Sequence, residues 1–290
     1  MPNGIIIIDK PGGWTSMDVC AKLRGMFREK RIGHAGTLDP MATGILPVFV
    51  GRATRAVEFT EDYDKEYVAG LRLGVITNTQ DTTGEVLEER PVTVTREDVE
   101  RVLEQFRGSI QQIPPMYSAI KINGKKLYEL ARKGREVERK PRQITIQELE
   151  LLEQVSETDY ILRVSCSKGT YVRTLCHDIG QALGCGGTMS SLRRTRVGPF
   201  REGVTLEQVQ QAASEERAAQ LLAPVDGCFV QFPAVTATER ECGKFIRNGT
   251  PYPCEMEEGT YRVYGPEGEF LMLGRVEEGR MITVKSFFEV

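Results

Sequence analysis

Asp39 is the side chain most clearly set out for chemistry. It lies in the run Gly33-His34-Ala35-Gly36-Thr37-Leu38-Asp39-Pro40-Met41-Ala42-Thr43-Gly44. Glycine is costly inside helices and strands, and proline has no N–H for a ladder, so this run reads as a loop. Pro40 drives Asp39 out of the α region. Gly33, Gly36 and Gly44 permit positive φ or close approach of another backbone. Such a loop either presents its carboxylate to a bulky ligand or folds Asp39 onto its own backbone as an Asx-turn. His34 is the other titratable group of the run and a candidate ligand contact.

Other chemistries lack their residues. Gly124-Lys125 has neither the upstream glycine nor the following Ser/Thr of a phosphate-cradling loop, and no dinucleotide fingerprint or Gly-x-Ser-x-Gly elbow occurs. A serine or cysteine nucleophile needs a base, and the chain has two histidines, His34 and His177. His177 falls in a predicted helix beside Asp178 and reads as structural. Seven cysteines are scattered at positions 20 to 254 without a Cys-x-x-Cys pair. That count and spacing argue against a disulfide framework or a zinc site, so no metal is expected and a reducing cytoplasm fits.

Charge is segregated. The net charge is −3 and the pI about 5.7, which taken globally argues against a nucleic-acid partner. Yet the stretch from Lys121 to Arg142 carries nine basic residues against three acidic ones. A second basic group is Lys22, Arg24, Arg28, Lys30 and Arg31; a third is Arg193, Arg194, Arg196 and Arg201. Acid collects later, at Glu255, Glu257, Glu258, Glu267, Glu269, Glu277 and Glu278. Each run is either a solvated face or part of a surface where phosphates dock.

The elements that must position Asp39 follow from periodicity. The span 4–10 reads as a buried strand, followed by a helix capped at Ser16 with Val19, Leu23 and Phe27 on one face. Residues 66–74 alternate as a strand containing Tyr67. Thr95 caps the clearest helix, to Phe106. Residues 160–166 alternate again, and Ser167-Lys168-Gly169-Thr170 turns into a helix bearing Val172, Leu175, Ile179 and Leu183. Thr205 and Gln208 form a capping box. Strands and helices do not alternate strictly, which predicts an α+β fold with a mixed, largely antiparallel sheet flanked by helices.

A boundary is predicted near 226–233, giving domains 1–228 and 229–290. The second begins with a short helix from Thr238, closed at Gly249, and continues as a small β-rich module. Residues 112–142 read as an irregular, basic insertion with Pro114-Pro115, Gly124 and Gly134; insertions this long are usually functional. At 290 residues the chain can bury a sizeable core. No apolar run approaches the ~18 residues of a membrane span, and residues 1–13 lack the basic start of a signal peptide.

GHAGTLDPMATGILPV resembles the catalytic-aspartate motif of the TruB family, bacterial tRNA pseudouridine-55 synthases. DKPGGWTS, KEYVAGLRLG, IPPMYSAIKINGKKLYELARKG, CSKGTYVRTL and SLRRTRVGPF occur in that family's order and spacing. The resemblance covers nearly the whole chain, and the C-terminal module is similar, more weakly, to an RNA-binding PUA domain. It implies a pseudouridine synthase fold and conversion of the T-loop uridine 55 of tRNA to pseudouridine. The C1′–N1 bond breaks, the base turns, and C1′ bonds to C5. The target base must be extruded into a pocket.

By that resemblance Asp39 is the essential carboxylate, acting either by attack on C1′ or through a glycal, and Arg173 pairs with it. Tyr67 stacks on the uracil, and Tyr171 and Leu192 line its pocket. His34 contacts displaced nucleotides, while the 113–142 insertion clamps the T-arm. Lys10, Lys121, Lys125 and Lys126 are expected phosphate contacts on charge and position. No cofactor, membrane or obligatory protein partner is implied, and a monomer is expected.

Three readings stand beside this one. A non-catalytic RNA binder would use the cations but not Asp39. A two-carboxylate glycosidase would need a second acid near Asp39, from Asp62, Asp64 or Asp81. A guide-RNA-dependent synthase like dyskerin would keep the chemistry with another substrate, but long basic terminal extensions are missing from the sequence.

Overall fold

A computed structural model describes residues 2–122 and 124–288. The isoleucine run forms β1 (Gly4–Lys10), and α1 (Ser16–Phe27) follows. The cap of α1 is Thr15 rather than Ser16: Thr15 and Asp18 exchange both bonds of a capping box, and Ser16 is turned inward as the first helical residue. Next come β2 (Ile32–His34) and β3 (Thr43–Val50), with the Asp39 loop between them, then a 3-10 stretch at Gly51–Thr60.

The centre of the chain gives β4 (Lys65–Leu73), the small hairpin β5 (Val75–Thr77) and β6 (Val86–Glu89), then α2 (Arg96–Leu103). β7 (Gly108–Gln112) and β10 (Arg142–Gln154) are antiparallel partners, with Gln112 opposite Arg142. The segment expected to be irregular from 112 to 142 is therefore the connection 113–141. It contains β8 (Lys121–Ile122), β9 (Lys125–Lys126) and α3 (Leu127–Ala131). β11 (Asp159–Cys166), α4 (Val172–Ala182), β12 (Gly187–Val197) and α5 (Leu206–Ser214) follow.

Eight of these strands form one sheet, in the order β1-β3-β12-β4-β11-β10-β7 with β2 beside β3. Every pair in it is antiparallel except β3 with β12, so the predicted mixed, largely antiparallel α+β fold is the one observed. β4 lies centrally. Its alternation sends Tyr67, Ala69, Leu71 and Leu73 into a core shared with α2 and α4. A second core joins β1 and β3 to α1 and α5.

The C-terminal sheet has five strands: β13 (Ala234–Thr236), β14 (Tyr252–Pro253), β15 (Gly259–Tyr264), β16 (Phe270–Glu277) and β17 (Arg280–Ser286). The short α6 (Glu239–Lys244) precedes β14. Phe229 is fully buried where this sheet meets the rest. Its ring lies 5.3 Å from Phe59, 5.6 Å from Phe287 and 5.9 Å from Phe270. Arg55 Nη1 donates to Ser286 Oγ at 2.8 Å across the same junction. Among the described residues no helix is long and apolar enough to cross a membrane.

Candidate active site

The Asp39 loop is held from several directions. Its apolar residues Leu38 and Ala42 are buried in the core that also holds Tyr67 and Leu192. The Ser16 hydroxyl accepts from the Leu38 N–H at 2.9 Å and donates to the Leu38 carbonyl at 3.2 Å. One side chain thus satisfies both backbone groups of the residue preceding Asp39. The Gly13 N–H donates to the Pro40 carbonyl at 2.8 Å, and Ala42 N–H to the Asp39 carbonyl at 3.0 Å.

Glycine is required at Gly36 and Gly44, and the reason is Arg194. Gly44 has φ +101°, and a Cβ there would stand 2.2 Å from the Arg194 carbonyl. Gly36 has φ +70°, with the Arg194 guanidinium 3.2 Å from the same hypothetical atom. Gly33 has neither constraint.

The Asp39 carboxylate turns to a residue 134 positions away instead of to its own backbone. Arg173 Nε lies 2.9 Å from Oδ2 and Nη2 is 3.4 Å from Oδ1. The rest of the guanidinium is also engaged. Nη1 donates to the Thr79 carbonyl at 3.0 Å and lies 3.7 Å from Asp81, and Nη2 donates to the Tyr117 carbonyl at 2.8 Å. Arg173 is 5% exposed, near the start of α4, where the fork geometry of its donors fixes all these partners at once. Burial pushes the Asp39 carboxyl above its ordinary range and Asp81 pushes it the same way; Arg173 and Lys10 oppose them.

Asp81 completes the arrangement without being free to react. It is buried, and its Oδ1 accepts from the Thr79 hydroxyl at 2.9 Å, the Thr83 N–H at 3.0 Å and the Thr83 hydroxyl at 2.6 Å. Of the other two aspartates tried as a second acid, Asp62 pairs with Lys168 on the surface and Asp64 is exposed.

Tyr67 faces Arg194 directly across β4 and β12, and Leu192 faces Ala69 two residues along. The Tyr67 hydroxyl is pushed up by burial, with the adjacent Arg194 guanidinium opposing. The phenol is therefore neutral at pH 7. Arg194 is 1% exposed; Nε donates to the Ile45 carbonyl at 2.7 Å and Nη2 to the Gly36 carbonyl at 2.8 Å. It ties β12 to both ends of the Asp39 loop. Tyr171 precedes α4, and both its backbone groups bond Gln112: its N–H donates to Oε1 at 2.8 Å, and its carbonyl accepts from Nε2 at 3.1 Å. His34 ends β2; burial, and then Arg194, push its imidazole down, so it is neutral at pH 7.

One expectation fails. Lys10 is not a phosphate contact. It is fully buried, and Nζ donates to the carbonyls of Pro11 (2.9 Å), Trp14 (2.6 Å) and Pro40 (3.3 Å). Burial lowers its pKa to about 8. The sequence gives its strand and charge, but not that the neighbouring carbonyls close over it. The third basic run is only partly open: Arg193 and Arg201 are exposed. Arg194 is buried, Arg193 grips Asp9 at 2.9 and 3.0 Å, and Arg196 donates to Ser165 Oγ at 3.1 Å. Lys121 and Lys125 are exposed on the hairpin of the insertion, and Lys126 is half-buried over the Tyr128 ring.

Residues 24–172 match the family model described as TruB family pseudouridylate synthase, N-terminal domain. Residues 173–230 match the tRNA pseudouridylate synthase B C-terminal domain. The fold is that of a pseudouridylate synthase. Within that class, the chain belongs to the TruB family. The join between the two family models, at residues 172 and 173, falls inside α4 and so is not a structural boundary.

The tRNA pseudouridine synthase B of Francisella philomiragia is 43% identical over 290 residues, covering 98% of this chain and 95% of its own. That of Stutzerimonas stutzeri is 45% identical over 287 residues, covering 96% and 93%. Among solved structures, an H/ACA ribonucleoprotein bound to a substrate RNA containing 2′-deoxyuridine contains a chain with TM-score 0.72 and 26% identity. The match covers 99% of this chain and 85% of that one. An archaeal box H/ACA complex gives TM-score 0.71 at 26% identity, covering 99% and 86%.

Proposed function

We infer that this protein is a tRNA pseudouridine synthase acting on the T-loop uridine at position 55. The observation that carries the chemistry is the Asp39–Arg173 pair at 2.9 Å, in a loop that several buried groups hold in place. Asp39, with its side chain 38% exposed, faces the sugar of the extruded nucleotide. Arg173 keeps it ionised against the pull of burial. Breaking C1′–N1 leaves a cationic sugar, and the carboxylate stabilises it, by a covalent bond to C1′ or by removing a sugar proton to form a glycal.

Tyr67 supports the detached uracil by stacking, worth roughly 1–3 kcal/mol, and a stacking face imposes no donor register on a turning base. Leu192 and Tyr171 exclude the water that would otherwise trap the sugar. His34 offers a neutral imidazole to the nucleotides beside the target. The insertion clamps the T-arm through Lys121 and Lys125, and the C-terminal sheet, as a PUA-like module from residue 229 onward, extends the RNA surface. The catalytic unit spans residues 1–228. The enzyme works as a cytoplasmic monomer without a cofactor or obligatory protein partner.

Identities of 43–45% to tRNA pseudouridine synthase B chains, against 26% to a chain of an H/ACA ribonucleoprotein, favour this over guide-dependent modification. The occlusion of Asp81 by three donors argues against a two-acid glycosidase. Mapping of pseudouridine in an unmodified tRNA transcript, and in an isolated T-arm hairpin, tests the reading. Pseudouridine at position 55 of both is expected. No product without added proteins, or free uracil with an abasic site, would contradict it.

A further inference from the structure

The insertion leaves the catalytic sheet at Gln112. β7 is otherwise largely exposed, yet Gln112 is 2% exposed. Its side chain reaches α4 and engages both backbone groups of Tyr171, 59 residues away. Five residues further on, the Tyr117 carbonyl accepts from Arg173. The start of α4, with Tyr171 as its N-cap and the partner of Asp39 in its first turn, is therefore tied twice to the root of the insertion. α4 has no side-chain cap of its own. Between the two ties stand the buried Pro114 and Pro115, whose fixed φ transmits a displacement instead of absorbing it. Arg139, from the far end of the insertion, donates to the Pro114 carbonyl at 3.2 Å and closes the root.

We propose that Gln112 is a positioning residue for the reaction, coupling docking of an RNA backbone on the insertion to the placement of Tyr171 and Arg173 around Asp39. This rests on the pseudouridine-synthase reading. A primary amide is the group that fits, because it presents one donor and one acceptor side by side. Glutamate keeps the shape but loses the donor when ionised; asparagine falls one methylene short.

The test uses the full chain with a tRNA transcript. Gln112→Glu and Gln112→Ala should slow single-turnover pseudouridine formation at saturating tRNA about 10- to 100-fold, as a displaced catalytic group does. The Kd for tRNA should change less than about threefold. Amide exchange at Tyr171 should quicken about tenfold in both variants. In the unaltered protein, a T-arm hairpin should slow exchange across residues 171–174. Unchanged rates in both variants, a loss lying wholly in Kd, or exchange at 171–174 that ignores RNA while the insertion gains protection would each overturn the proposal. Should Gln112→Ala not fold, Gln112→Glu and exchange in the unaltered protein still decide. An unaltered protein that makes no pseudouridine would sink the functional reading instead.

Discussion

Asp39 is set between opposing influences. Burial and Asp81 raise its carboxyl, while Arg173 and Lys10 lower it, and the balance is upward. Since the reaction needs the carboxylate, single-turnover rates should fall on acidification with a midpoint above the ordinary aspartate value of about 3.9. A pH–rate profile that stays flat down to that value would refute the assignment. On the alkaline side, Lys10 loses its proton from about pH 8. The unfolded chain holds that proton to about 10.4, so over this window the group itself favours the folded state as pH rises. The rate should therefore decline above pH 8, as Lys10 loses the charge that favours the Asp39 carboxylate and one of the three N–H groups shared among Pro11, Trp14 and Pro40, without a parallel fall in Tm. Rate and Tm falling together would point to unfolding. Arg173→Lys keeps charge but cannot reach both Asp39 oxygens and the carbonyls of Thr79 and Tyr117 at once. A loss of about 100-fold or more in single-turnover rate is expected, with tRNA affinity nearly unchanged.

At the scale of elements, the β3–β12 pair depends on a bare backbone. Gly44→Ala drives a Cβ to 2.2 Å from the Arg194 carbonyl and should cost about 3 kcal/mol or more in urea unfolding. A cost below about 1 kcal/mol would mean the two strands are not locked. Local elements were legible in the sequence because their signals are local. Thr95, Thr205 and Thr238 cap their helices as predicted, each in a capping box, whereas the helix from Thr238 stops at Lys244 and Gly249, with φ +65°, closes the 3-10 turn Ile246–Asn248 that follows. Thr15 and Ser16 are both competent caps, and what chose Thr15 was the burial of Ser16 against Leu38. Asp81 was named only as a candidate second acid; its place beside Arg173, like the ties of Gln112 and the burial of Arg194, was not legible, because each depends on partners far away in the chain. Arg194 bonds Ile45 across 149 positions, and nothing near SLRRTR distinguishes it from Arg193. Tyr67, Tyr171, Arg173 and Leu192 were nameable through resemblance; their convergence is a property of the sheet order.

For the whole molecule, the acidic net charge conceals a basic insertion. Of the third arginine run Arg194 is buried while Arg193 and Arg201 are exposed, and in the proposed function the exposed cations of residues 121–142 carry the polyanion surface. Each phosphate contact removed there should flatten the slope of log K against log salt by about one unit, so Lys121→Glu with Lys125→Glu should flatten it by about two. An unchanged slope would move the RNA elsewhere. Phe229 joins the two sheets, and Phe229→Ala should cost about 3–5 kcal/mol. The measurement closest to the central claim is tritium release from C5-labelled uridine in a tRNA transcript, by the unaltered protein and by Asp39→Ala. Release by the first alone, with both binding tRNA comparably, is the predicted result. Equal release by the variant would contradict the account.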